Sequence, residues 1–390
     1  MNKYVKWGCT LMTAVMTAGL VAGCGGGGAA DSKTVKLGIV YELTGNTAAY
    51  GAAALNGAKL AVKEINANGG VLGKQIEAVV GDNKGEPSES ANAMTKVITQ
   101  DKVIAVTGFT TSSNGIAASA VAEANKIPFM TANCTNPKVT VDEKSGKVKD
   151  YTFRVSFIDP FQGTVGANFA LNTLKVKKVA TLIDNSSDYS KGLAQFFKEA
   201  FTKGGGEVID EQAYLQKDQD FKTILTKIKA ENPELIYVPG YYDEVGKIIK
   251  QARELGITAP FLGGDGWDSA KLVEIAGAPN LNNTFFTTHY SAEDSSAKSK
   301  AFVEAYKKEY NTMPEANAVL AYDAVYAMVD AIKRANSLEP TKIKDALAAT
   351  KDFEGVTGKI SLNDKHDAVK HAVIVEFKDG KQTFKQNVEP

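Results

Sequence analysis

The sequence is poor in the residues that enzymes and metal sites most often use. Its 390 residues include three histidines and three cysteines. The histidines, His289, His366 and His371, all come late in the chain, and none lies in a predicted binding loop. The chain has no G-x-S-x-G motif, no Cys or His pair at metal-ligand spacing and no G-x-x-x-x-G-K-[ST] phosphate loop. These absences predict a protein that is not an enzyme and that needs neither a metal nor a cofactor.

Neither sign of charge is in excess. Lys plus Arg total 45, and Asp plus Glu total 45. The sequence has no basic run and no basic patch interleaved with aromatic residues, which are the marks of nucleic-acid-binding proteins. We therefore expect no nucleic-acid partner.

The N-terminus predicts export. Two lysines precede a mostly apolar run, Leu11–Val21, which is too short for a membrane span. The run leads into Leu20-Val-Ala-Gly-Cys24, which resembles the cleavage box of bacterial lipoproteins. We therefore predict a signal peptide over residues 1–23, followed by a lipidated cysteine and flexible tether over 24–34. The alternative is a plain secretory signal in which the cysteine occurs by chance.

This reading predicts an extracytoplasmic protein that is anchored to the membrane through lipid on Cys24. Cys9 leaves with the signal peptide, so Cys134 is the one cysteine left in the mature domain. The domain therefore has no disulfide and must be stabilised by burial alone.

The order of strands and helices predicts two similar α/β halves. A chain of 390 residues is long enough for two domains. Buried strands alternate with amphipathic helices, and the alternation begins again after 153–157. The predicted strands are 35–40, 76–80, 103–107 and 128–131 in the first half, and 179–183, 207–214 and 235–238 in the second. This pattern is typical of an α/β fold with two doubly wound parallel-sheet lobes. Helices at 297–310 and 317–335 and a terminal hairpin from 372 complete both halves.

The stretch from Val103 to Thr140 contains the most informative loops. Gly108–Gly115 follows one predicted strand and ends in Ser112, Ser113 and Asn114, which are good N-cap residues for the next helix. Ala132–Thr135 follows the next strand. The unpaired N–H groups at a helix start favour anions, and loops at the carboxyl edge of a parallel sheet usually bind ligands. The alternative is that both loops are ordinary turns.

Several motifs, in the same order and spacing, resemble Leu/Ile/Val-binding proteins, the amino-acid branch of the type I periplasmic binding proteins. They are Gly38-Ile-Val-Tyr-Glu-Leu-Thr-Gly, Tyr50-Gly, Asn56-Gly-Ala, Gly108-x-x-x-Ser112-Ser113, Thr131-x-x-x-Thr135-Asn-Pro, Asp188-Tyr189-x-x-Gly192 and Gly240-Tyr241. The resemblance covers the chain from about Val35 to the C-terminus.

The resemblance implies two lobes joined by a hinge that the chain crosses several times. Lobe 1 is expected to comprise 35–155 plus about 287–370, and lobe 2 to comprise 156–286 plus about 371–390. It also implies a monomer that captures a free amino acid, most often a branched-chain one, and delivers it to the membrane permease of an ABC importer.

The family's binding site can be placed on matching residues. The resemblance implies that Ser112 and Thr135, with the backbone around Asn133, hold the ligand carboxylate. It implies that Asp265, with Tyr189 beside it, holds the ammonium. The implied ligand-binding residues are Tyr50, Thr111, Ser112, Asn133, Thr135, Tyr189, Tyr241 and Asp265, with Phe109, Thr110 and Trp267 as further candidates for the lining.

Three positions depart from the family pattern. Thr111 stands where some members have a disulfide cysteine, and Asp265 stands where well-known members have a longer glutamate. Asn133 replaces a small apolar residue, which leaves a strictly aliphatic preference open. The alternatives are therefore a same-fold receptor for another amino acid, for urea or for a small amide, or a ligand sensor.

Overall fold

The computed structural model describes residues 33–293 and 296–390. The predicted signal peptide, Cys24 and the tether up to residue 32 lie outside these ranges. Within them, no helix is both long and apolar enough to cross a membrane.

The first half of the chain forms a five-stranded parallel sheet. The strands are β1 (Thr34–Tyr41), β2 (Gln75–Asp82), β3 (Ala105–Gly108), β4 (Phe129–Thr131) and β5 (Thr152–Arg154), and the connecting helices are α1 (Ala48–Ala67), α2 (Pro87–Thr99) and α3 (Ser112–Asn125). The strand order is β2-β1-β3-β4-β5. β3 and β4 are completely buried, because helices cover both faces of the sheet.

The second half repeats this alternation. Its elements are α4 (Asp159–Asn168), β6 (Lys178–Asp184), α5 (Asp188–Lys203), β7 (Glu207–Tyr214), α6 (Lys222–Ala230), β8 (Leu235–Val238), α7 (Tyr242–Glu254), β9 (Phe261–Gly263), α8 (Ala270–Ala276) and β10 (Thr284–Thr288). Strands β6 to β10 pair in parallel. The two predicted parallel sheets are therefore confirmed.

The rest of the chain completes both halves. It contains α9 (Ala297–Tyr310), α10 (Ala316–Ala335), α11 (Pro340–Ala348), β11 (Phe353–Gly355), β12 (Gly358–Leu362), β13 (Ala368–Val369), β14 (Ala372–Lys378) and β15 (Lys381–Val388). The predicted terminal hairpin is β14–β15, and β14 pairs antiparallel with β10, giving the order β15-β14-β10-β9-β8-β6-β7. The small antiparallel sheet β11-β12-β13 was not predicted, because its strands are two to five residues long and carry little apolar alternation.

We call the part built on the five-stranded sheet lobe 1 and the part built on the seven-stranded sheet lobe 2. Helix α10 belongs to lobe 1, because its apolar residues share one core with β1 and α1. The chain passes between the lobes three times: between β5 and α4, between β10 and α9, and between β13 and β14.

Helices α1 and α10 cross at very short range. A Cβ on Gly57 of α1 would lie 1.9 Å from the carbonyl oxygen of Ala318 in α10. Closer to the C-terminal end of α1, the hydroxyls of Tyr322 and Tyr326 donate to Glu64 Oε2 at 2.6 and 2.9 Å. The sequence therefore needs a residue without a side chain at position 57.

We predict that Gly57→Ala lowers the free energy of unfolding by about 1 to 3 kcal/mol, because the two helices must separate to admit the methyl group. The matched control is Gly166→Ala in α4, where the new Cβ would lie 3.5 Å from Phe197, an ordinary contact. That control should be neutral or stabilising, because alanine favours helix. Urea unfolding measures both, and a Gly57→Ala protein as stable as the control would contradict the close crossing.

Candidate functional site

The predicted site residues of both lobes follow the carboxyl ends of parallel strands. In lobe 1, Ser112 begins α3 after β3, and Thr135 follows β4. In lobe 2, Tyr189 follows β6, Tyr241 follows β8, and Asp265 follows β9. Ligands of open α/β sheets bind at this edge.

Contacts between the lobes show that the two edges face each other. The Tyr50 hydroxyl of lobe 1 donates to the carbonyl of Gly266 and accepts from the backbone N–H of Tyr242 at 3.1 Å. Ser113 donates its hydroxyl to Asp188 Oδ2 at 3.0 Å and accepts from the Asp188 N–H at 3.1 Å. The carboxyl edges of the two sheets therefore meet, and we call the region between them, where the predicted residues lie, the interlobe site.

The two lobe 1 loops are held together at Ser112. Its Oγ accepts a hydrogen bond from the backbone N–H of Asn136 at 3.2 Å. The loop that carries Thr135 is fixed from behind by the buried Arg154, whose guanidinium donates to the carbonyls of Cys134 at 2.6 Å and Asn136 at 3.0 Å. Arg154 Nε also lies 2.8 Å from Asp367 Oδ1, so its charge is compensated.

A buried carboxylate shapes the loop in front of Ser112. Glu42 accepts hydrogen bonds from the backbone N–H of Thr110 at 3.2 Å and from its hydroxyl at 2.8 Å. The hydroxyl of Thr111 donates to the same carboxylate at 3.1 Å, and so does Asn114 at 3.2 Å. Thr111, predicted near the ligand, therefore points its hydroxyl at Glu42 and, together with Thr110, ties this loop to the end of β1.

Among the predicted site residues of lobe 1, Asn133 and Thr135 carry buried side-chain oxygens that have no hydrogen-bond partner among the described residues. Asn133 donates from Nδ2 to Asn317 Oδ1 at 3.1 Å, but its own Oδ1 accepts no hydrogen bond from the described residues. The Thr135 hydroxyl is also buried and has no hydrogen-bond partner among the described residues. Buried polar atoms are nearly always paired, so these two oxygens have unused capacity for a hydrogen bond.

Asp265 is the polar centre of lobe 2 and is 3% exposed. Its Oδ1 accepts from the Tyr189 hydroxyl at 2.9 Å and from Gln162 Nε2 at 2.8 Å. Its Oδ2 lies 3.5 Å from His289 Nε2, which is longer than a normal hydrogen bond. Burial raises the pKa of Tyr189 well above its usual range, so the phenol stays a neutral donor. Asp265 is thus oriented through one oxygen.

The tyrosines form one aromatic cluster between the lobes. The rings of Tyr189 and Tyr241 stack with centroids 5.2 Å apart, and Tyr50 meets Tyr241 edge-on at 5.9 Å. Tyr242 adds a second edge-on contact with Tyr50 at 4.8 Å. Trp267 is different: it is fully buried in the core of lobe 2, with its indole N–H donated to the Val238 carbonyl at 2.9 Å.

Three residues of this site were not predicted. Gln162 orients Asp265 and also donates to Thr287 Oγ1 at 2.8 Å. His289 packs flat on Phe157 at 3.6 Å beside Asp265. Asp159 is fully buried at the start of α4. His289 directly follows β10, so the rule that strand ends carry sites pointed to it; the roles of Asp159 and Gln162 depend on how the crossing segment folds.

A cavity of about 310 Å³ lies beside this site, at the crossings between the lobes. Its lining includes His289, His371, Thr357 and Phe384. None of the residues predicted to bind ligand lines this cavity, and His289 is the one lining residue that also belongs to the interlobe site. Among the described residues, no group of three or more His, Cys, Asp or Glu side chains could hold a metal ion.

Comparisons with known proteins agree with this architecture. The sequence model of the family described as periplasmic binding protein matches residues 34–382. The Leu/Ile/Val-binding protein BraC3 of Rhizobium johnstonii is 33% identical over 334 residues, covering 85% of this chain and 88% of that protein. The predicted family resemblance is confirmed.

Solved structures give the same result for the fold. The leucine binding protein LivK of Thermotoga maritima superposes with a TM-score of 0.85 at 37% identity, covering 91% of this chain and 99% of that one. The branched-chain amino acid transporter substrate binding protein LivJ of Streptococcus pneumoniae, solved with isoleucine, superposes at 0.86 with 42% identity, covering 92% and 100%. The predicted two-lobed type I fold is confirmed, and these relatives are binding proteins of transporters rather than enzymes.

We predict that His289 makes the fold sensitive to acid. Burial lowers the pKa of His289 from 6.5 to about 4 in the folded protein, although Asp265 opposes this shift. The unfolded chain therefore binds the proton first. Stability is retained above about pH 6.5 and falls as the pH drops toward 4, by on the order of 3 kcal/mol.

The test compares urea unfolding of the wild type and His289→Gln at about pH 7 and about pH 4.5. The variant should lose less stability on acidification. His366→Gln is the matched control, because His366 also stacks on a phenylalanine but is less buried. Equal acid sensitivity of wild type and His289→Gln would contradict the assignment.

Proposed function

The chain belongs to the periplasmic binding protein family, and from this premise we propose that it is an extracytoplasmic receptor that captures a free amino acid between its lobes for an ABC importer. The observation that carries the proposal is the pairing of two polar surfaces in one buried site. Lobe 2 offers the oriented carboxyl of Asp265, and lobe 1 offers a helix start and hydroxyls. An amino acid has the complementary charges close together.

The lobe 1 surface suits a carboxylate. Ser112 opens α3, whose N-terminus carries unpaired N–H groups and a partial positive charge. Ser112 and Thr135 add neutral hydroxyls. We propose that these groups bind the ligand carboxylate, with the backbone around Asn133 completing the clamp.

The lobe 2 surface suits an ammonium group. Asp265 keeps Oδ2 toward a histidine that burial holds neutral, and among the described residues no lysine or arginine forms an ion pair with Asp265. A charge-assisted hydrogen bond in a closed site is stronger than one exposed to water. We propose that Oδ2 accepts the ligand ammonium.

A branched-chain side chain is the proposal that the relatives favour, because LivJ was solved with isoleucine and BraC3 is described as a Leu/Ile/Val-binding protein. The aromatic cluster of Tyr50, Tyr189 and Tyr241 supplies an apolar wall. One observation favours a second candidate: the unpaired Oδ1 of Asn133 could accept from a polar side chain, which would make another amino acid the preferred ligand.

Binding would be coupled to closure of the lobes. A ligand that touches both lobes favours the closed form over the open form, which is how population shift operates. The sheet memberships support lobe boundaries near residues 155, 287 and 370, with 35–155 and about 287–370 in lobe 1 and the remainder in lobe 2. We propose that the receptor acts as a monomer that presents both lobes to its permease.

The ligand assignment predicts the outcome of a thermal-shift screen of the mature domain against the twenty amino acids, urea and simple amides. Leucine, isoleucine and valine should raise the melting temperature by mass action, because they bind the folded state alone. A response to another amino acid selects the second candidate. Silence from all amino acids, with a response to an amide or a simple acid, would overturn the amino-acid proposal.

We predict that Asp265→Ala weakens amino-acid binding by about 2 to 5 kcal/mol, because the buried ammonium loses its charged partner. Asp268→Ala is the matched control. Asp268 is buried three residues along, but its carboxylate is satisfied by Thr288 at 2.8 Å and Gln382 at 3.1 Å. The control should lower the melting temperature and spare the affinity. Isothermal titration measures both variants, and wild-type affinity in Asp265→Ala would remove Asp265 from the site.

We also propose that the protein is a lipoprotein anchored through Cys24, on the sequence pattern that ends at that residue. In a bacterial host, Cys24→Ser should abolish incorporation of labelled palmitate and release the protein from the membrane fraction. Cys9→Ser is the matched control, because Cys9 lies within the predicted signal peptide, and it should be labelled like the wild type. Labelling of Cys24→Ser would show that the segment is not a lipoprotein signal.

A further inference from the structure

Asp159 is a buried acid without a partner. It is fully buried at the start of α4, and neither of its carboxylate oxygens accepts a hydrogen bond from the described residues. Its backbone N–H donates to the carbonyl of Thr135 at 3.0 Å, which ties it to the loop of the proposed carboxylate clamp. A buried charge that is neither paired nor hydrogen-bonded costs several kcal/mol, so this position calls for a reason.

The ordinary structural roles do not supply that reason. An acid in the first turn of a helix often caps it, but α4 has no side-chain capping hydrogen bond. A nearby cation could pair with the acid, but Arg154 is engaged by Asp367 and by the carbonyls of Cys134 and Asn136. Asp159 is therefore not explained by the fold alone.

The surroundings of Asp159 are rich in acceptors and poor in donors. Asp265 is near enough to add to the effect of burial in raising the pKa of Asp159, whereas the Thr135 hydroxyl and Arg154 lower it. The side chains of Asp159 and Thr135 are therefore close to each other, although neither the carboxylate oxygens of Asp159 nor Thr135 Oγ1 has a hydrogen-bond partner among the described residues. Gln162 turns its Nε2 to Asp265 and leaves Oε1 buried without a donor. These acceptor atoms therefore lack a partner that carries several N–H donors and a positive charge.

We propose that Asp159 is a positioning residue for the ligand ammonium and acts through Thr135. By accepting the hydroxyl hydrogen of Thr135, Asp159 leaves Thr135 Oγ1 free to accept from the ammonium, and its own negative charge adds to that of Asp265. In this arrangement Ser112 and the backbone around Asn133 hold the ligand carboxylate, and the Thr135 hydroxyl binds the ammonium instead of the carboxylate. The ammonium would then lie between the Thr135 hydroxyl and the carboxyl of Asp265, and Asp159 would support that hydroxyl from the far side. This inference rests on the proposed function, because it requires a ligand with an ammonium group.

The proposal predicts that ligand binding is coupled to the release of a proton from Asp159. Burial and Asp265 raise the pKa of Asp159, whereas a bound ammonium favours the carboxylate and lowers that pKa again. Binding therefore releases a proton, and affinity rises with pH until the pH passes the raised pKa. The groups that act on Asp159 are Thr135, Asp265 and Arg154, and the phenols of Tyr189 and Tyr237 are also close enough to interact with its charge. His289 acts through Asp265.

The test is isothermal titration of the full mature domain, wild type and Asp159→Asn, with the amino acid that gives the largest thermal shift. Titrations in two buffers of different ionisation enthalpy report the protons released. The Asn side chain has the same shape and no charge, so we expect the variant to fold. Its dissociation constant for the amino acid should rise at least about tenfold, and its proton release should fall below that of the wild type.

A second ligand separates positioning from a structural role. The 2-oxo acid of the same carbon skeleton has the carboxylate and side chain but no ammonium. Asp159→Asn should bind it as well as the wild type does or better, as followed by thermal shift. Asp323→Asn is the matched control: Asp323 is buried, but its carboxylate accepts from Val356 and Thr357, so it should lose stability and keep its affinity and proton release.

A double-mutant cycle that combines Asp159→Asn with Thr135→Val tests whether Asp159 acts through Thr135. If Asp159 acts through Thr135, the two substitutions together should weaken binding less than the sum of their separate effects. Additive effects, wild-type affinity and proton release in Asp159→Asn, or equal losses for the amino acid and the oxo acid would each overturn the inference while the proposed function stands. A wild-type protein that binds no amino acid would overturn both. If Asp159→Asn fails to fold, an absence of proton release in the wild type still refutes the inference.

Discussion

The burial of carboxyl groups between the lobes is the constraint on which the site depends. Asp265 and Asp159 are both removed from water, and the histidine beside Asp265 is kept neutral by the same burial. The nearest guanidinium, that of Arg154, is already engaged. Negative charge without a permanent counter-charge is costly in such a place. Under the proposed function, a cationic ligand would supply the missing charge, and burial of these acids would favour ligands that carry an ammonium group.

Lobe 1 is built in the opposite way, with its charges satisfied behind the binding surface. Glu42 is bound by the side chains and backbone of the Thr110–Asn114 segment, and Arg154 by carbonyls of the segment around Thr135. Both charged residues fix loops without facing the ligand surface. What remains at that surface is a helix start and neutral hydroxyls, which suit a carboxylate without adding a full positive charge. In family members that have a disulfide at the position of Thr111, a covalent bond is available for this loop; here the carboxylate of Glu42 holds it.

Much of the fold and of the candidate site could be predicted from sequence, because the informative sequence signals were local. Buried strands such as Val103–Thr107 are short apolar runs, and the loops after them are recognisable by their glycines, serines and threonines. The parts that escaped prediction depend on contacts between distant segments. Asp159 and Gln162 lie in a crossing segment without a motif, and their importance appears only when α4 is placed beside β9 and β10. Thr111 and Trp267 were expected near the ligand by position, and this stays a prediction. The local pattern did not contain the packing that directs the Thr111 hydroxyl to Glu42 and the Trp267 indole N–H to Val238.

The magnitudes of the interlobe contacts indicate what controls closure. The direct links between the lobes are of two kinds. Ser113 with Asp188 and Lys217 with Glu86 involve partly or largely exposed side chains, whereas the Tyr50 hydroxyl makes buried hydrogen bonds with the backbone of lobe 2. Exposed ion pairs contribute about 0 to 1 kcal/mol each. An uncompensated buried carboxyl costs several kcal/mol, and its pairing with a ligand ammonium recovers that amount only when the site is closed and dry. The exposed links are therefore too weak to outweigh the buried acids. If the proposed function holds, the balance between open and closed forms is set by the charge state of the interlobe site and by the buried contacts of Tyr50, rather than by the exposed rim contacts.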